Sequence, residues 1–140
     1  RERLKSFDFG ERFHMLGFRK DMVNVMASFD ILVLTSVTRE ASSTVLKQAG
    51  AMGVPCIATD VGGTREIIEH EKTGFIVQPG DVKAMHGYVA ALLADRDNAR
   101  RMGAAAKEKV LNEFTADAIA EKTEQIYCRV LAGSCSLFVV

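Results

Sequence analysis

Four short apolar runs recur in the first part of the chain, and helix-like segments separate them. The runs are FHML (13–16), ILVLTS (31–36), PCIAT (55–59) and FIVQP (75–79). A strand that helices cover on both faces is apolar throughout, so each run predicts a buried strand. Strands that alternate with helices form a parallel sheet with right-handed crossovers. The pattern predicts an α/β fold, a Rossmann-like parallel sheet with helices on both faces.

Apolar positions repeat at helical spacing within residues 22–29 and 43–52, which predicts a helix in each segment. Gly53 and Pro55 are expected to end the second helix. The segment TREIIEH (64–70) predicts a brief third helix with Thr64 as its N-cap.

After Gly80 the apolar positions repeat only at helical spacing. Asp81 is expected to cap a first helix, a second is predicted at about 97–113, and Thr115 is expected to cap a third that ends near Leu131. The inward positions of the first helix are predicted to be Val82, Met85, Val89, Leu92 and Leu93. We therefore expect one domain over residues 1–132, with a helical C-terminal extension and a tail over 133–140.

The opening RERLKSFDFGER (1–12) has the pattern of a helix end that leads into a strand. No earlier strand is present for that helix to follow, and a four-stranded sheet would keep an exposed edge. We expect the chain to be truncated at its N-terminus, within a longer domain.

Composition limits the classes of partner. Among 140 residues, 18 basic side chains balance 18 acidic ones, so no global field attracts nucleic acid or an anionic membrane. No apolar run reaches the length of a transmembrane helix. Cys56, Cys128 and Cys135 lack zinc-site spacing, and their odd number suggests a reducing compartment such as the cytoplasm.

Ligands of open parallel sheets bind at the carboxyl ends of the strands, and the loop at 36–43 has chemistry suited to that position. A helix that begins near residue 43 would present backbone N–H groups to a phosphate, beside the hydroxyls of Ser42, Ser43 and Thr44. Plain N-capping by serine is the alternative. Glu40 would be unfavourable beside an anion unless it accepts hydrogen bonds itself, for example from sugar hydroxyls.

Several motifs together carry a family resemblance: FHMLGF (13–18), TSVTREASS (35–43), GVPCIATDVGGTREII (53–68) and TGFIVQPGD (73–81). The chain resembles the nucleotide-sugar-binding half of the group 1 glycosyltransferases, a retaining family of GT-B fold, also called family four. The similarity covers about residues 11–114, including RRMGAAAKEKVLNEFT (100–115).

The resemblance assigns roles to particular residues. Glu40 matches a catalytic-site glutamate at the donor sugar, and Gln48 stands where the family has a second glutamate that holds the ribose. An amide lacks the charge-assisted hydrogen bonds of a carboxylate, so weaker or altered nucleotide binding is expected. Where the family commonly has Gly-Phe-Gly, this chain has Ala41, Ser42 and Ser43, and with Thr44 these would hold the diphosphate.

The remaining assignments concern two glycine-containing loops. Gly17, Phe18 and Arg19 match the family's loop against the nucleobase, and Gly62 and Gly63 match a turn where backbones approach closely. A turn needed only by the fold is an equally good interpretation of the glycine pair.

The resemblance implies the donor-binding domain of a retaining glycosyltransferase that uses a UDP-, GDP- or ADP-sugar without a metal cofactor. Its partner would be an N-terminal acceptor domain of the same full-length chain, and without it the fragment is expected to be inactive. A cytoplasmic location is expected, with a peripheral position on the cytoplasmic face of a membrane left open. The alternative is a degenerate, non-catalytic nucleotide-sugar-binding or protein-interaction module, which Gln48 and the altered loop favour. A sugar epimerase fits the motifs less well.

Overall fold

The computed structural model describes residues 12–38 and 40–133. Its sheet has three parallel strands in the order β1 (Leu32–Leu34), β2 (Cys56–Thr59) and β3 (Gly74–Val77). The helices are α1 (Met22–Ala27), α2 (Thr44–Ala51), α3 (Thr64–Ile67), α4 (Val82–Ala94), α5 (Arg96–Glu113) and α6 (Ala116–Leu131). The parallel sheet with intervening helices confirms the predicted Rossmann-like α/β fold. The tail beyond Gly133, residues 1–11 and Arg39 lie outside the described residues.

The strand predicted at 13–16 is wrong for the described residues. All four residues are exposed, and none of the strands of the described sheet includes this segment. An apolar run is stabilised as a strand of a parallel sheet where helices cover its faces, and these exposed residues lack that cover.

The core lies on both faces of β2, whose four residues are all buried. Cys56 and Ala58 belong to one apolar cluster with Leu46 of α2, whereas Ile57 belongs to another with Leu92 of α4. Alternate residues of a strand point to opposite faces, so α2 and α4 cover opposite faces of the sheet. This two-sided burial explains why Cys56, Ile57 and Ala58 are all apolar.

The helical extension packs closely against the sheet domain. A Cβ atom on Gly50 of α2 would lie 2.8 Å from a methyl carbon of Val110 on α5, so glycine permits this approach of the two helices. Lys109 of α5 also reaches Glu69, with Nζ 3.0 Å from one carboxylate oxygen, and Glu113, at 3.3 Å. Burial lowers the pKa of Lys109, but its hydrogen bonds to the two glutamates outweigh that effect and raise it overall.

The predicted caps are confirmed at two of three helices. Asp81 accepts a hydrogen bond from the N–H of Ala84, and Thr115 accepts one from the N–H of Ala118. Thr64 instead is the first residue of α3, which starts after Gly63, and its hydroxyl donates to the carbonyl of Val61 at 2.8 Å. The hydroxyl therefore closes the preceding turn and does not cap the helix.

Two of the predicted inward positions of α4 are exposed. Leu93 follows the buried Leu92 by about 100° of helical rotation, so only one of them can face the sheet. Val82 is the first residue of α4 and lies beside the 78–81 loop, past the end of β3.

Candidate functional site

The loops that follow the three strands meet at the carboxyl edge of the sheet, where ligands of such folds bind. The Thr59 hydroxyl, at the end of β2, donates to the carbonyl of Ser36 after β1. The N–H of Asp60 donates to the carbonyl of Val77 at 2.7 Å, which ties the exit of β2 to that of β3. These hydrogen bonds give the edge a fixed geometry.

Glu40 lies in the first of these loops and is partly buried. The Ser36 hydroxyl donates to one of its carboxylate oxygens at 3.1 Å, which orients the side chain. A carboxylate has about four lone-pair positions, so this bond leaves acceptor capacity for the hydroxyls of a ligand.

The glycine turn after β2 packs directly against the backbone of Glu40. The N–H of Gly63 donates to the carbonyl oxygen of Glu40 at 2.9 Å. Gly62 has φ +51°, and a Cβ atom there would overlap that same carbonyl, whereas one on Gly63 would overlap the carbonyl of Ala41. The close backbone approach expected at this turn is therefore present, and it brings Gly62 and Gly63 together with Glu40 and Ala41.

Ser42, Ser43 and Thr44 form the start of α2, as predicted. Ser43 is the N-cap, and its buried hydroxyl accepts a hydrogen bond from the N–H of Leu46 at 3.4 Å. The capping interpretation is thus correct for Ser43. Thr44, the first helical residue, and Ser42 are both exposed at this helix end.

Lys47 is a residue that the sequence interpretation missed. Its ammonium donates to the Ser42 hydroxyl at 3.1 Å and lies 5.9 Å from the ring centre of Phe114. A cation one turn inside α2 adds positive charge to a helix start that already favours anions. The signal available in the sequence was a lysine five residues after Ser42.

Gln48 is exposed on α2 and faces α1. It lines a small apolar cavity of about 100 Å³, together with Met22, Val23, Met26, Ala51 and Met52. The structure therefore brings Gln48 beside the start of α1.

The loop of Gly17, Phe18 and Arg19 leads into α1, so it approaches Gln48 from the α1 side. Gly17 has φ +63°, and the Phe18 side chain is 91% exposed. Arg19 forms a double hydrogen bond with Asp21, at 2.8 and 2.6 Å, which lowers the pKa of that carboxyl group. Among the described residues, no hydrogen bond or ion pair joins this loop to Glu40.

Arg65 is largely exposed but forms an ion pair. Its guanidinium donates to both carboxylate oxygens of Asp60, at 2.8 and 2.6 Å. This hydrogen bonding is the main reason why the pKa of Asp60 is lowered. Sequence reasoning missed Asp60; the available signal was an acidic and a basic residue on either side of a Gly-Gly turn.

Two cavities that are larger than the one beside Gln48 lie at the edges of the sheet. One of about 170 Å³ lies at the carboxyl edge, lined by residues that include Thr35, Val37 and Met85. The other, of about 180 Å³, lies beside Phe29, Pro55 and Arg96, away from the loops that hold Glu40.

Within the described ranges no cluster of three or more His, Cys, Asp or Glu side chains could hold a metal ion. In the same ranges, no helix combines the length and apolar character that crossing a bilayer requires.

A family model described as glycosyl transferases group 1 matches residues 1–109. The chain belongs to this family. The family match covers both loops of the carboxyl edge that hold Glu40 and the glycine pair.

Curated relatives in the family include enzymes of sugar transfer. The chain is 35% identical over 128 residues to N-acetyl-alpha-D-glucosaminyl L-malate synthase of Bacillus anthracis, covering 91% of this chain and 33% of that protein. It is 42% identical over 83 residues to GDP-mannose-dependent alpha-(1-6)-phosphatidylinositol monomannoside mannosyltransferase of Mycobacterium tuberculosis, covering 59% of this chain and 22% of the relative.

Solved structures of GT-B glycosyltransferases share the fold. Sucrose-phosphate synthase from Thermosynechococcus elongatus matches with a TM-score of 0.81 and 30% identity, over 95% of this chain and 34% of that chain. Anabaena HepE in complex with UDP-glucose matches with a TM-score of 0.83 and 24% identity, over 91% of this chain and 35% of that chain. The group 1 chain described here therefore spans about a third of the length of such proteins.

Proposed function

We propose that this chain is the donor-binding part of a retaining glycosyltransferase that takes a sugar from a nucleotide-diphosphate donor. The observation that carries the proposal is the contact between the Gly62–Gly63 turn and the backbone of Glu40. That contact holds a carboxylate beside the start of α2, at the ligand-binding edge of a group 1 chain.

The diphosphate would bind at the start of α2. Unpaired backbone N–H groups of a helix start and its partial positive charge stabilise anions. Ala41, Ser42, Ser43 and Thr44 supply the backbone there, and Lys47 adds a full positive charge. Charge that develops on the departing diphosphate would be stabilised by the same groups, so the proposal includes no metal cofactor.

Glu40 would contact the donor sugar. Its carboxylate, oriented by Ser36, can accept hydrogen bonds from sugar hydroxyls and stabilise positive charge at the reacting carbon. Glu40 is therefore the residue that we assign as catalytic.

The nucleoside would lie between α2 and the loop before α1. Gln48 can accept one ribose hydroxyl hydrogen bond and donate another, more weakly than the family's carboxylate would accept two. Gly17, Phe18 and Arg19 would border the base, with the exposed Phe18 ring as an apolar contact.

Three nucleotide classes are candidates for the donor: UDP-, GDP- and ADP-sugars. Structural neighbours include proteins bound to UDP and UDP-glucose, and the mycobacterial relative is GDP-mannose-dependent, whereas ADP-sugars stay as the third class.

The relatives are about three times longer, so we propose that an acceptor domain in the same protein completes the enzyme. Buried Cys56 and exposed Cys128 are both free thiols, which suits a reducing, cytoplasmic location.

Calorimetric titration of the chain with UDP-, GDP- and ADP-sugars tests the proposal. Saturable binding of one nucleotide class, weakened by Glu40→Ala and by Gln48→Ala, is expected. Glu124→Ala is the matched control, because Glu124 is an exposed glutamate on α6. Equal binding by wild type and both site variants would contradict the assignment. Absence of binding by the chain and by the complete enzyme would favour the non-catalytic module instead.

A further inference from the structure

The turn between β2 and α3 contains an ion pair that has no direct part in the proposed reaction. Arg65 donates from Nε to Oδ1 of Asp60 at 2.8 Å, and from a terminal nitrogen to Oδ2 at 2.6 Å. The side chain of Asp60 is 20% exposed, whereas that of Arg65 is 64% exposed. Two parallel hydrogen bonds of this kind fix the relative orientation of both groups.

The same carboxylate also reaches the loop after β3. Gln78 donates from its amide nitrogen to Oδ2 of Asp60 at 3.2 Å, and the N–H of Asp60 donates to the carbonyl of Val77. Asp60 therefore joins the start of the glycine turn to the end of β3 and to the first residues of α3.

The opposite side of this turn touches Glu40. Gly63 donates its N–H to the carbonyl of Glu40, and Gly62 leaves no room for a side chain against the same carbonyl. A turn held by Asp60 on one side and packed against Glu40 on the other cannot shift without moving the Glu40 backbone.

The Asp60–Arg65 pair adds little to the stability of the fold. Ion pairs with a largely exposed partner such as Arg65 contribute little to the free energy of unfolding. Arg65 also directs the edge of its guanidinium that includes Nε towards Asp60, so that edge does not face a ligand. The pair therefore matters for where it holds the turn, and not for how much it stabilises the fold.

We propose that Asp60 is a positioning residue for Glu40, acting through the Arg65 pair and the Gly62–Gly63 turn. This inference rests on the proposed function, because Glu40 is assigned there to the donor sugar. Loss of the pair should loosen the turn and displace the Glu40 carboxylate from the sugar. Nucleotide contacts at Gln48 and Lys47 lie on α2 and should be retained.

Amide hydrogen exchange of the 140-residue chain tests the link without any ligand. We expect exchange at the Gly63 N–H to be severalfold faster in Asp60→Asn and in Arg65→Gln than in wild type. Arg100→Gln is the matched control, since Arg100 forms an exposed pair with Asp97 on α5 at 3.5 Å. Unchanged exchange at Gly63 in both variants overturns the inference. Arg65→Gln also serves as the second variant if Asp60→Asn does not fold.

Ligand binding then distinguishes displacement of Glu40 from general disruption of the site. The probes are UDP-glucose with UDP, GDP-mannose with GDP, and ADP-glucose with ADP, and the pair that wild type binds is used. We expect Asp60→Asn to lose about tenfold in affinity for the nucleotide sugar, the size of one charge-assisted hydrogen bond, while affinity for the nucleotide alone stays within about twofold. Equal losses for both ligands, or no loss for either, overturn the inference. If neither the chain nor the complete enzyme binds any of these pairs, the proposed function fails, and hydrogen exchange at Gly63 still decides whether Asp60 holds the turn.

Discussion

Gly62 lies so close to Glu40 that the carbonyl oxygen of Glu40 occupies the space where a side chain would begin. The neighbouring Gly63 donates its N–H to this carbonyl at 2.9 Å. The glycine turn and the glutamate therefore form one unit, although 22 positions separate Gly62 from Glu40 in the sequence.

Replacement of Gly62 by alanine should disturb this unit. Gly62→Ala introduces both a steric overlap and an unfavourable φ of +51°, so the free energy of unfolding should fall by about 1–3 kcal/mol. Gly80→Ala is the control, because Gly80 has φ +87° but no atom within 4 Å of its Cβ position. Urea denaturation should show a larger loss for Gly62→Ala; equal losses would mean that the overlap with Glu40 has no energetic effect.

Removal of the Lys47 charge should weaken binding of the diphosphate. Lys47→Met eliminates the cation beside Ser42, so affinity for the nucleotide sugar should fall by about fivefold, or about 1 kcal/mol, at low salt. The difference should shrink as salt increases, because salt screens the charge. Calorimetry in a salt series measures both effects, with Lys107→Met on the exposed face of α5 as control. A loss that is the same at all salt concentrations would argue against a charge effect.

Acid should weaken the link between α5 and the sheet domain. Hydrogen bonds from Lys72 and Lys109 lower the pKa of Glu69 below its ordinary 4.5 in the folded state. A depressed pKa gives stability that is present above 4.5 and is lost as pH falls through the folded-state value. Lys109→Met should therefore lower the melting temperature at neutral pH and flatten its decline in acid, relative to wild type.

Lys83→Met, on an exposed position of α4, should keep the wild-type pH profile. Parallel melting curves for wild type and Lys109→Met down to about pH 3 would show that the Lys109–Glu69 pair does not contribute.

The two described cysteines should differ sharply in reactivity. Burial raises the pKa of the Cys56 thiol to about 12, whereas Cys128 is exposed. The thiolate is the reactive form, so iodoacetamide at pH 8 should modify Cys128 in the native chain and Cys56 only after unfolding. Peptide mapping by mass spectrometry identifies the modified sites. Rapid native modification of Cys56 would contradict its burial in β2 against α2.

Local patterns were sufficient to predict much of the fold. The buried strand β2, the caps Asp81 and Thr115 and the start of α2 follow from periodicity and from side chains that bond to nearby backbone. The 13–16 segment was not predictable in this way, because strand formation depends on a partner strand elsewhere in the protein.

The same distinction applies to the site. Glu40 and the start of α2 stand out in the sequence through charge and helix-start chemistry. By contrast, the Asp60–Arg65 pair and the contact of Lys47 with Ser42 depend on how turns and side chains fold back in space. Pairing of this kind leaves no periodic pattern to detect.

The location of the nucleotide sugar tests the central claim most directly. Amide chemical shifts of the labelled chain would be followed by NMR as UDP-glucose, GDP-mannose and ADP-glucose are added in separate titrations. The account predicts saturable shifts at Glu40–Thr44, Gln48 and Gly62–Gly63 with one of the three donors. Shifts confined to the other edge of the sheet, around Phe29 and Arg96, would contradict it.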